Sequence, residues 1–210
     1  MESSIRRRRR SEALRKLKGK VVLVTGGSRG LGFAIARELA LSGARLALTS
    51  RHLDELERAR ALLLVSGYTT PDDVWVYACD LTVQSAVREM MAAATAHFGG
   101  IYVLVNDAGI IMVGPLESQT LDGFHEAMNV NFFGALHATL AVLPQMLRRG
   151  DGAIVNIGSI GGNVAFPHLL RTWRATLLSQ AGHRGCELSS PARGFASPRF
   201  ARVSCVPARI

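Results

Sequence analysis

The stretch TGGSRGLG, residues 25–32, constrains the fold of this 210-residue chain more than any other. It follows the short apolar run VVLVTG, whose β-branched residues are typical of a buried parallel strand, and it leads into an amphipathic segment that ends at Gly43. Its glycines let the chain turn tightly, let backbone approach a pyrophosphate, and let the helix pack on the sheet. The start of that helix offers free N–H groups to phosphate. The motif therefore predicts a dinucleotide-binding strand–turn–helix unit.

Strands and helices alternate along the rest of the chain, which predicts βαβ units, a parallel sheet and right-handed crossovers. With the glycine turn after the first strand, this pattern predicts a doubly wound α/β fold. Helices are expected after the glycine turn, at 52–67, at 82–99 with Thr82 as N-cap, and from about 121 to 149. Strands are expected at 21–26, 44–51, 73–81, 101–109 and 152–159.

The positive charge lies at the two ends of the chain. The net charge is +9, of which residues 1–20 carry +7, residues 21–170 carry −4 and residues 171–210 carry +6. The run Arg6–Arg10 is suited to contact phosphate or anionic lipid, and its alternative role is that of a solvated, disordered arm. We favour the arm, and we expect no nucleic-acid partner.

Composition bounds the environment and the class of protein. A hydrophobic content of 48% fits a globular domain, no apolar run approaches the roughly 18 residues of a membrane span, and no signal-peptide pattern opens the chain. Three cysteines without a pairing pattern predict a reducing compartment, the cytoplasm. No Cys/His cluster has metal-ligand spacing, so no metal is expected.

Six ordered pieces carry a resemblance to a known family. They are TGGSRGLG, CDL (79–81), NDAG (106–109), NVNFFG (129–134), LPQM (143–146) and IVNIGSIGG (154–162). Together they resemble the short-chain dehydrogenase/reductase family over about residues 19–170. The resemblance implies a Rossmann-type domain that binds a nicotinamide cofactor and transfers hydride between it and a small carbonyl or alcohol substrate. It also implies that the intact family members are homo-oligomers.

The resemblance assigns site residues one by one. Ser159 matches the catalytic serine that bonds the substrate oxygen, and Asn131 matches the asparagine that kinks the long helix and holds a water of the proton relay. Position 107 departs from the family pattern, because an Asp stands where the family usually has a second Asn. The cofactor-binding residues implied are Gly26, Ser28, Arg29, Gly30, Leu31, Gly32, Asp80, Leu81, Asn106, Ala108 and Gly109.

The end of the second strand bears on the choice of cofactor. An NAD-binding domain usually carries an acid there, which bonds the ribose 2′-hydroxyl and repels a 2′-phosphate. Thr49 and Ser50 are not acidic, and Arg51 and Arg29 are placed to face a 2′-phosphate with planar guanidinium groups. The sequence therefore favours NADP over NAD. The alternative is that Arg51 only begins the next helix on the surface.

The second half of the family's active site is missing. The family places a proton-donating tyrosine thirteen residues after the serine and a lysine four residues further on. Thr172 and Thr176 stand at those positions, no tyrosine follows Tyr102 and no lysine follows Lys20. A threonine hydroxyl is far too weak an acid to replace the tyrosine. We expect a chain without the catalytic Tyr and Lys to be inactive as a reductase.

The last 40 residues fit translation in the wrong frame. If each true codon is the last base of one printed codon and the first two of the next, Arg171-Thr172 permits Pro-Tyr, residues 194–203 permit Gly-Val-Arg-Val-Thr-Thr-Val-Cys-Pro-Gly, and other segments also regain family-like sequence in register. Thr176 is the exception, because no shifted codon there encodes lysine. This pattern predicts a one-base deletion, or its equivalent, near Leu170.

These observations predict three regions: a disordered basic arm at 1–19, an incomplete dinucleotide-binding domain at 20–170, and an out-of-frame tail at 171–210 without a native fold. The sheet is expected to stop after about the fifth strand. Two functions remain open, an oxidoreductase of the short-chain dehydrogenase/reductase type and a non-catalytic dinucleotide-binding remnant.

Overall fold

The computed structural model describes residues 17–159 and the strand 203–208. One parallel sheet forms its centre, with the strand order β3-β2-β1-β4-β5-β6. The strands are β1 (Val21–Thr25), β2 (Arg45–Ser50), β3 (Val74–Ala78), β4 (Val103–Asn106), β5 (Ala153–Ser159) and β6 (Val203–Ala208). This order is that of a doubly wound Rossmann sheet, so the predicted fold class is confirmed.

The helices lie between the strands, as the alternation predicted. They are α1 (Gly30–Leu41), α2 (Leu53–Val65), α3 (Gln84–Phe98), α4 (Leu121–Met128) and α5 (Ala135–Arg149). Residues Asn129–Gly134 form a π-helical turn that joins α4 to α5. The predicted N-cap of α3 is wrong: the cap position is Val83, because the N–H and hydroxyl of Thr82 both donate to the Asp80 carboxylate.

Two hydrophobic layers fix the helices to the sheet. Strand side chains alternate between the faces, so Val22 and Val24 pack with α1 and α2, whereas Val21 and Leu23 pack with α3 and α5. Both layers include side chains that are fully buried, such as Leu104 in β4. The central strands are covered by helices on both faces, so their side chains are apolar on both faces. They therefore form continuous apolar runs in the sequence.

The sheet has a sixth strand that the sequence did not predict. Val203–Ala208 pairs in parallel with β5, and Pro207 stands opposite Gly158. The outer edge of β5 offers unpaired backbone groups to any extended segment that reaches it. Pro207 has no N–H to donate, and an edge strand is where a sheet tolerates that loss.

The long helical stretch Leu121–Arg149 is long and apolar enough, by length and composition alone, to cross a membrane. Its mean hydropathy is 1.3, and 28% of the apolar window is buried. A core helix of a globular domain passes the same test. Here Ala138, Val142 and Met146 of α5 are fully buried in the layer shared with α3 and the sheet.

Thr25 joins β1 to the chain segment that follows β4. Its side chain is 1% exposed, and its hydroxyl oxygen accepts the backbone N–H groups of Asp107 and Ala108, both at 3.1 Å. The same hydroxyl donates to the Val105 carbonyl at 3.4 Å. One side chain therefore holds two loops at the carboxyl edge of the sheet, where the strand order reverses between β1 and β4.

Replacing Thr25 with valine keeps the side-chain shape but removes the acceptor of two N–H groups. We expect Thr25→Val to lower the free energy of unfolding by about 2 kcal/mol, because buried donors are left without a partner. Thr25→Ser keeps the hydroxyl and serves as the control, with a smaller loss. Urea unfolding of both variants measures the difference, and equal losses would contradict a role for the hydroxyl.

Candidate functional site

A cleft opens at the carboxyl ends of β1, β2 and β4, at the point where the strand order reverses. Doubly wound sheets bind their ligands at this place. The cleft brings together segments that lie far apart in the sequence: the glycine turn, the end of β2, the loop after β3 and the loop after β4. The predicted cofactor residues that line it are Gly26, Ser28, Arg29, Arg51, Asp80, Leu81, Ala108 and Gly109.

The glycine turn is shaped by two close approaches. Gly26 has φ +72°, a conformation that L side chains rarely adopt, and a Cβ there would lie 3.0 Å from the backbone of Ala108. At Gly32 a Cβ would lie 2.3 Å from the carbonyl oxygen of Gly26, so α1 can approach the end of β1 only because this position lacks a side chain. Gly30 and Leu31 form the first residues of α1 beside the cleft.

The start of α1 is suited to bind an anion. Its N-cap, Arg29, makes no capping hydrogen bond with its side chain, and the first turn contains no acidic residue. Free N–H groups and the positive end of the helix dipole therefore point toward the cleft. A dinucleotide fits this part of the site, because its pyrophosphate would accept N–H groups of the first turn that the Arg29 side chain does not cap, and the glycine turn leaves room for it.

Asp107 brings a negative charge to the same helix start. Its carboxylate accepts a hydrogen bond from the Gly32 N–H, which lowers its pKa, but burial outweighs this and raises the pKa to about 6. The carboxylate therefore competes with a phosphate for the N-terminus of α1 above that pH. The sequence flagged position 107 as a departure, and the structure shows that the departure faces the cleft.

One end of the cleft is formed by the end of β2 and the start of α2. Arg51 is exposed and lines the cleft, whereas Thr49 is buried and donates its hydroxyl to the Tyr77 carbonyl at 2.8 Å. The Arg29 side chain is 78% exposed and contacts Glu55 of α2. The sequence did not predict a role for Glu55. Nothing in the sequence around Glu55 indicates that Arg29, 26 residues earlier, lies beside it.

The loop after β3 holds a second acidic group at this end. The Asp80 carboxylate accepts from the backbone N–H of Thr82 at 2.9 Å and from its hydroxyl at 2.7 Å. The backbone hydrogen bond is the largest cause that lowers the Asp80 pKa, and the hydroxyl and nearby Arg51 lower it further. His137 of α5 fixes the loop through its Nδ1, 2.9 Å from the Leu81 carbonyl oxygen. An ionised Asp80 is thus held ready to accept a hydrogen bond.

Cys79 precedes this loop, and its side chain is buried. Burial, with the charges of Asp80 and Glu89, raises the pKa of its thiol to about 11. A neutral buried thiol reacts poorly. Among residues 17–159, no three His, Cys, Asp or Glu side chains are grouped so that they could hold a metal ion.

Asn106 has a different place from the one predicted. Its side chain is 5% exposed and its amide nitrogen donates to Asn156 Oδ1 at 2.8 Å and to Thr139 Oγ1 at 3.3 Å. It is turned into the interior between β4 and β5, and it is not among the residues that line the cleft. Asn106 thus supports the floor of the site, while its neighbours in the NDAG segment form the wall.

Asn131 lies in the π-helical turn that interrupts the long helix, at the place where the resemblance implies a kink. Its Oδ1 accepts from the Ile110 N–H at 2.8 Å and its Nδ2 donates to the Ile110 carbonyl at 3.0 Å. Both polar side-chain atoms are therefore engaged with the loop after β4. The arrangement positions that loop, and the proton-relay role that the resemblance implies remains a prediction.

Ser159 is the last residue of β5, at the same carboxyl edge of the sheet as the glycine turn. The strand register extends to it, with Ser159 opposite Ala208 of β6. Thr172 and Thr176, which stand at the positions of the missing tyrosine and lysine, lie outside the described residues. The structure thus brings Ser159 to the expected edge, and its catalytic role stays a prediction.

The sequence matches the short chain dehydrogenase family over residues 20–171. The chain belongs to this family. The match ends beside the point where the composition of the chain changes, and it includes the glycine turn, the NDAG segment, the π-helical turn and β5. The family is one of oxidoreductases that use a nicotinamide cofactor.

Relatives and solved structures agree with this assignment. The chain is 39% identical over 155 residues to Dehydrogenase/reductase SDR family protein 7-like of Anopheles gambiae, covering 73% of this chain and 49% of the relative. NAD+-bound xylitol dehydrogenase has a TM-score of 0.82 and 30% identity, with 91% of this chain and 70% of that chain covered. An alcohol dehydrogenase from Thermococcus sibiricus, complexed with 5-hydroxy-NADP, has a TM-score of 0.76 and 29% identity, with 83% and 72% covered. The chain spans about half the length of the curated relatives it matches.

The raised pKa of Asp107 makes the stability of the chain depend on pH. Its protonated form stabilises the folded state below about pH 4, and this contribution is lost as the pH rises through about 6. We expect Asp107→Asn to raise the free energy of unfolding at pH 8 on the order of 1 kcal/mol, since a pKa unit is worth about 1.4 kcal/mol and solvent screens a partly exposed group.

Urea unfolding at pH 4.5 and pH 8 measures this effect, which should shrink at the lower pH. Asp72→Asn, at an exposed position of the loop before β3, is the matched control and should change stability equally little at both. A stabilisation by Asp107→Asn that is the same at both pH values would contradict titration of this group.

Proposed function

We propose that this chain derives from an NADP-preferring reductase of its family and that the fold around its cleft still binds the dinucleotide. One observation carries the proposal: the glycine turn, the start of α1 and two arginines meet in one cleft, and β2 ends there without an acid. The solved neighbours with NAD+ and 5-hydroxy-NADP support a nicotinamide dinucleotide as the ligand class.

The proposed roles follow the geometry of the cleft. When bound, the nicotinamide dinucleotide supplies or accepts the hydride. The start of α1 and the glycine turn hold its phosphates, and Arg29 and Arg51 hold a 2′-phosphate. Ser159 donates a hydrogen bond to the oxygen of a small carbonyl or alcohol substrate, and Asn131 keeps the loop after β4 in place.

The preference for NADP is tested by removing one guanidinium group. We expect the full chain to bind NADP more tightly than NAD in isothermal titration calorimetry, and Arg51→Gln to weaken NADP about tenfold, which corresponds to about 1.4 kcal/mol. Binding of NAD should change less than twofold. Arg58→Gln is the control, because Arg58 is paired with Asp54 on α2 and does not line the cleft. Equal loss of both cofactors in Arg51→Gln would refute the preference.

A second candidate function is a dinucleotide-binding protein without turnover. The observation that favours it is the pair of threonines at positions 172 and 176, where the family has its general acid and the lysine beside it. A chain with threonine in place of that acid lacks the family's proton donor at the substrate oxygen. Binding of NADP without oxidation of NADPH in the presence of carbonyl substrates distinguishes this function from a working reductase.

We attribute the loss to a shift of reading frame near codon 170. Inserting one base there restores a tyrosine codon after the serine, and the codon at position 176 must also be changed to one for lysine, because the shifted frame does not encode it. We expect the chain with both changes to oxidise NADPH with a carbonyl substrate, and the present chain to show at least a hundredfold less activity, given the contribution of a general acid. Sequencing of genomic DNA and of tail peptides is the control. An uninterrupted frame in the genome, together with peptides of residues 171–210, would refute the frameshift.

A further inference from the structure

Glu55 is an acid in the cleft that the proposed roles do not use. It lies in the first turn of α2, and its side chain is 23% exposed. Its carboxylate accepts a hydrogen bond from the Ser28 hydroxyl at 3.0 Å and one from Arg29 Nη1 at 3.4 Å. Glu55 therefore ties the glycine turn to the helix that follows β2.

The ion pair between Glu55 and Arg29 lies where it can affect which cofactor binds. Ser28, Arg29, Arg51 and Glu55 all line the end of the cleft beside the carboxyl end of β2. An acid at the end of the second strand normally accepts the ribose 2′-hydroxyl and repels a 2′-phosphate. Here the end of that strand is neutral, and the nearest carboxylate on the following helix is Glu55, bonded to one of the two arginines.

We propose that Glu55 is a specificity-determining residue that limits the preference of this cleft for a 2′-phosphate over a 2′-hydroxyl. The proposal rests on the proposed function. The Arg29 guanidinium is already partnered, so a 2′-phosphate must either compete with Glu55 for it or lie close to the carboxylate. Like charges repel, and this repulsion acts on the phosphate dianion but not on a neutral hydroxyl.

The charges around this end of the cleft also indicate a limited preference for a 2′-phosphate over a 2′-hydroxyl. Arg29 and Arg51 are opposed by Glu55 and by Asp80, which lies near Arg51. Two arginines alone would favour the phosphate strongly, whereas each carboxylate offsets part of that attraction. Of the two acids, only Glu55 bonds a residue of the glycine turn in the part of the chain that the structure describes.

The test uses two small probes, 2′,5′-ADP and 5′-AMP, which differ only by the 2′-phosphate. Glu55→Gln keeps an oxygen acceptor for Ser28 and removes the charge. We expect this variant of the full chain to bind 2′,5′-ADP about tenfold more tightly in isothermal titration calorimetry, and 5′-AMP within twofold of the wild type. Glu57→Gln is the matched control, because Glu57 is 54% exposed and faces Arg60 at 3.9 Å.

A double-mutant cycle with Arg29→Gln tests whether Glu55 affects phosphate binding through Arg29. If Glu55 acts by engaging Arg29, Glu55→Gln should have little effect on 2′,5′-ADP binding once Arg29 is replaced. Glu55→Ala provides a second charge-free variant should the glutamine chain fail to fold, and thermal melting reports folding for each protein.

Several results would overturn the proposal. They are an unchanged or weaker affinity of Glu55→Gln for 2′,5′-ADP, or an equal gain for both probes. A full effect that persists without Arg29 supports the proposal through direct repulsion between the carboxylate and the 2′-phosphate. If the folded wild-type chain binds neither probe, the proposed dinucleotide site itself fails, and the role of Glu55 fails with it. If instead the wild-type chain binds 2′,5′-ADP and Glu55→Gln binds it equally well, the dinucleotide site stands and only the role of Glu55 fails.

Discussion

The contact between Gly32 of α1 and the carbonyl of Gly26 sets the position of the whole cleft. A Cβ at residue 32 would lie 2.3 Å from that oxygen, so the helix reaches the strand end only through the absence of a side chain. This approach aims the start of α1 at the ends of β2 and β4. The N–H groups of the helix, the arginines and the loop after β4 share one space for that reason.

Local patterns were enough to predict β1 to β5 and the helices between them, because each of these strands and helices has the periodicity of its own environment. They did not predict β6. The same patterns did not reveal Glu55, Thr25 or the interior place of Asn106. Those depend on contacts across 26 to 83 residues of chain, which only the completed sheet brings together. Asp107 was visible as a departure from the family pattern, but its position at the start of α1 was not.

Acidic residues at both ends give this cleft a mixed electrostatic character. Asp107 stands at the start of α1, where the phosphates of a dinucleotide are expected, and Glu55 stands at the other end, against Arg29. Each is held by hydrogen bonds to the glycine turn or to the helix that follows it. A site built to attract an anion thus contains groups that weaken the attraction, and their net effect depends on which of them carries a charge.

The sixth strand shows how differently a fold encodes its architecture and its chemistry. To pair with the edge of a parallel sheet, a segment needs an extended backbone with suitably placed N–H and C=O groups. Pairing depends little on which side chains the segment carries. The segment VSCVPA pairs with β5 in this way, even though a proline stands opposite Gly158. Catalysis, by contrast, requires one hydroxyl of the right acidity at one place. A segment can therefore complete the edge of a sheet without carrying any catalytic group, so that completeness of a sheet is poor evidence for completeness of an active site.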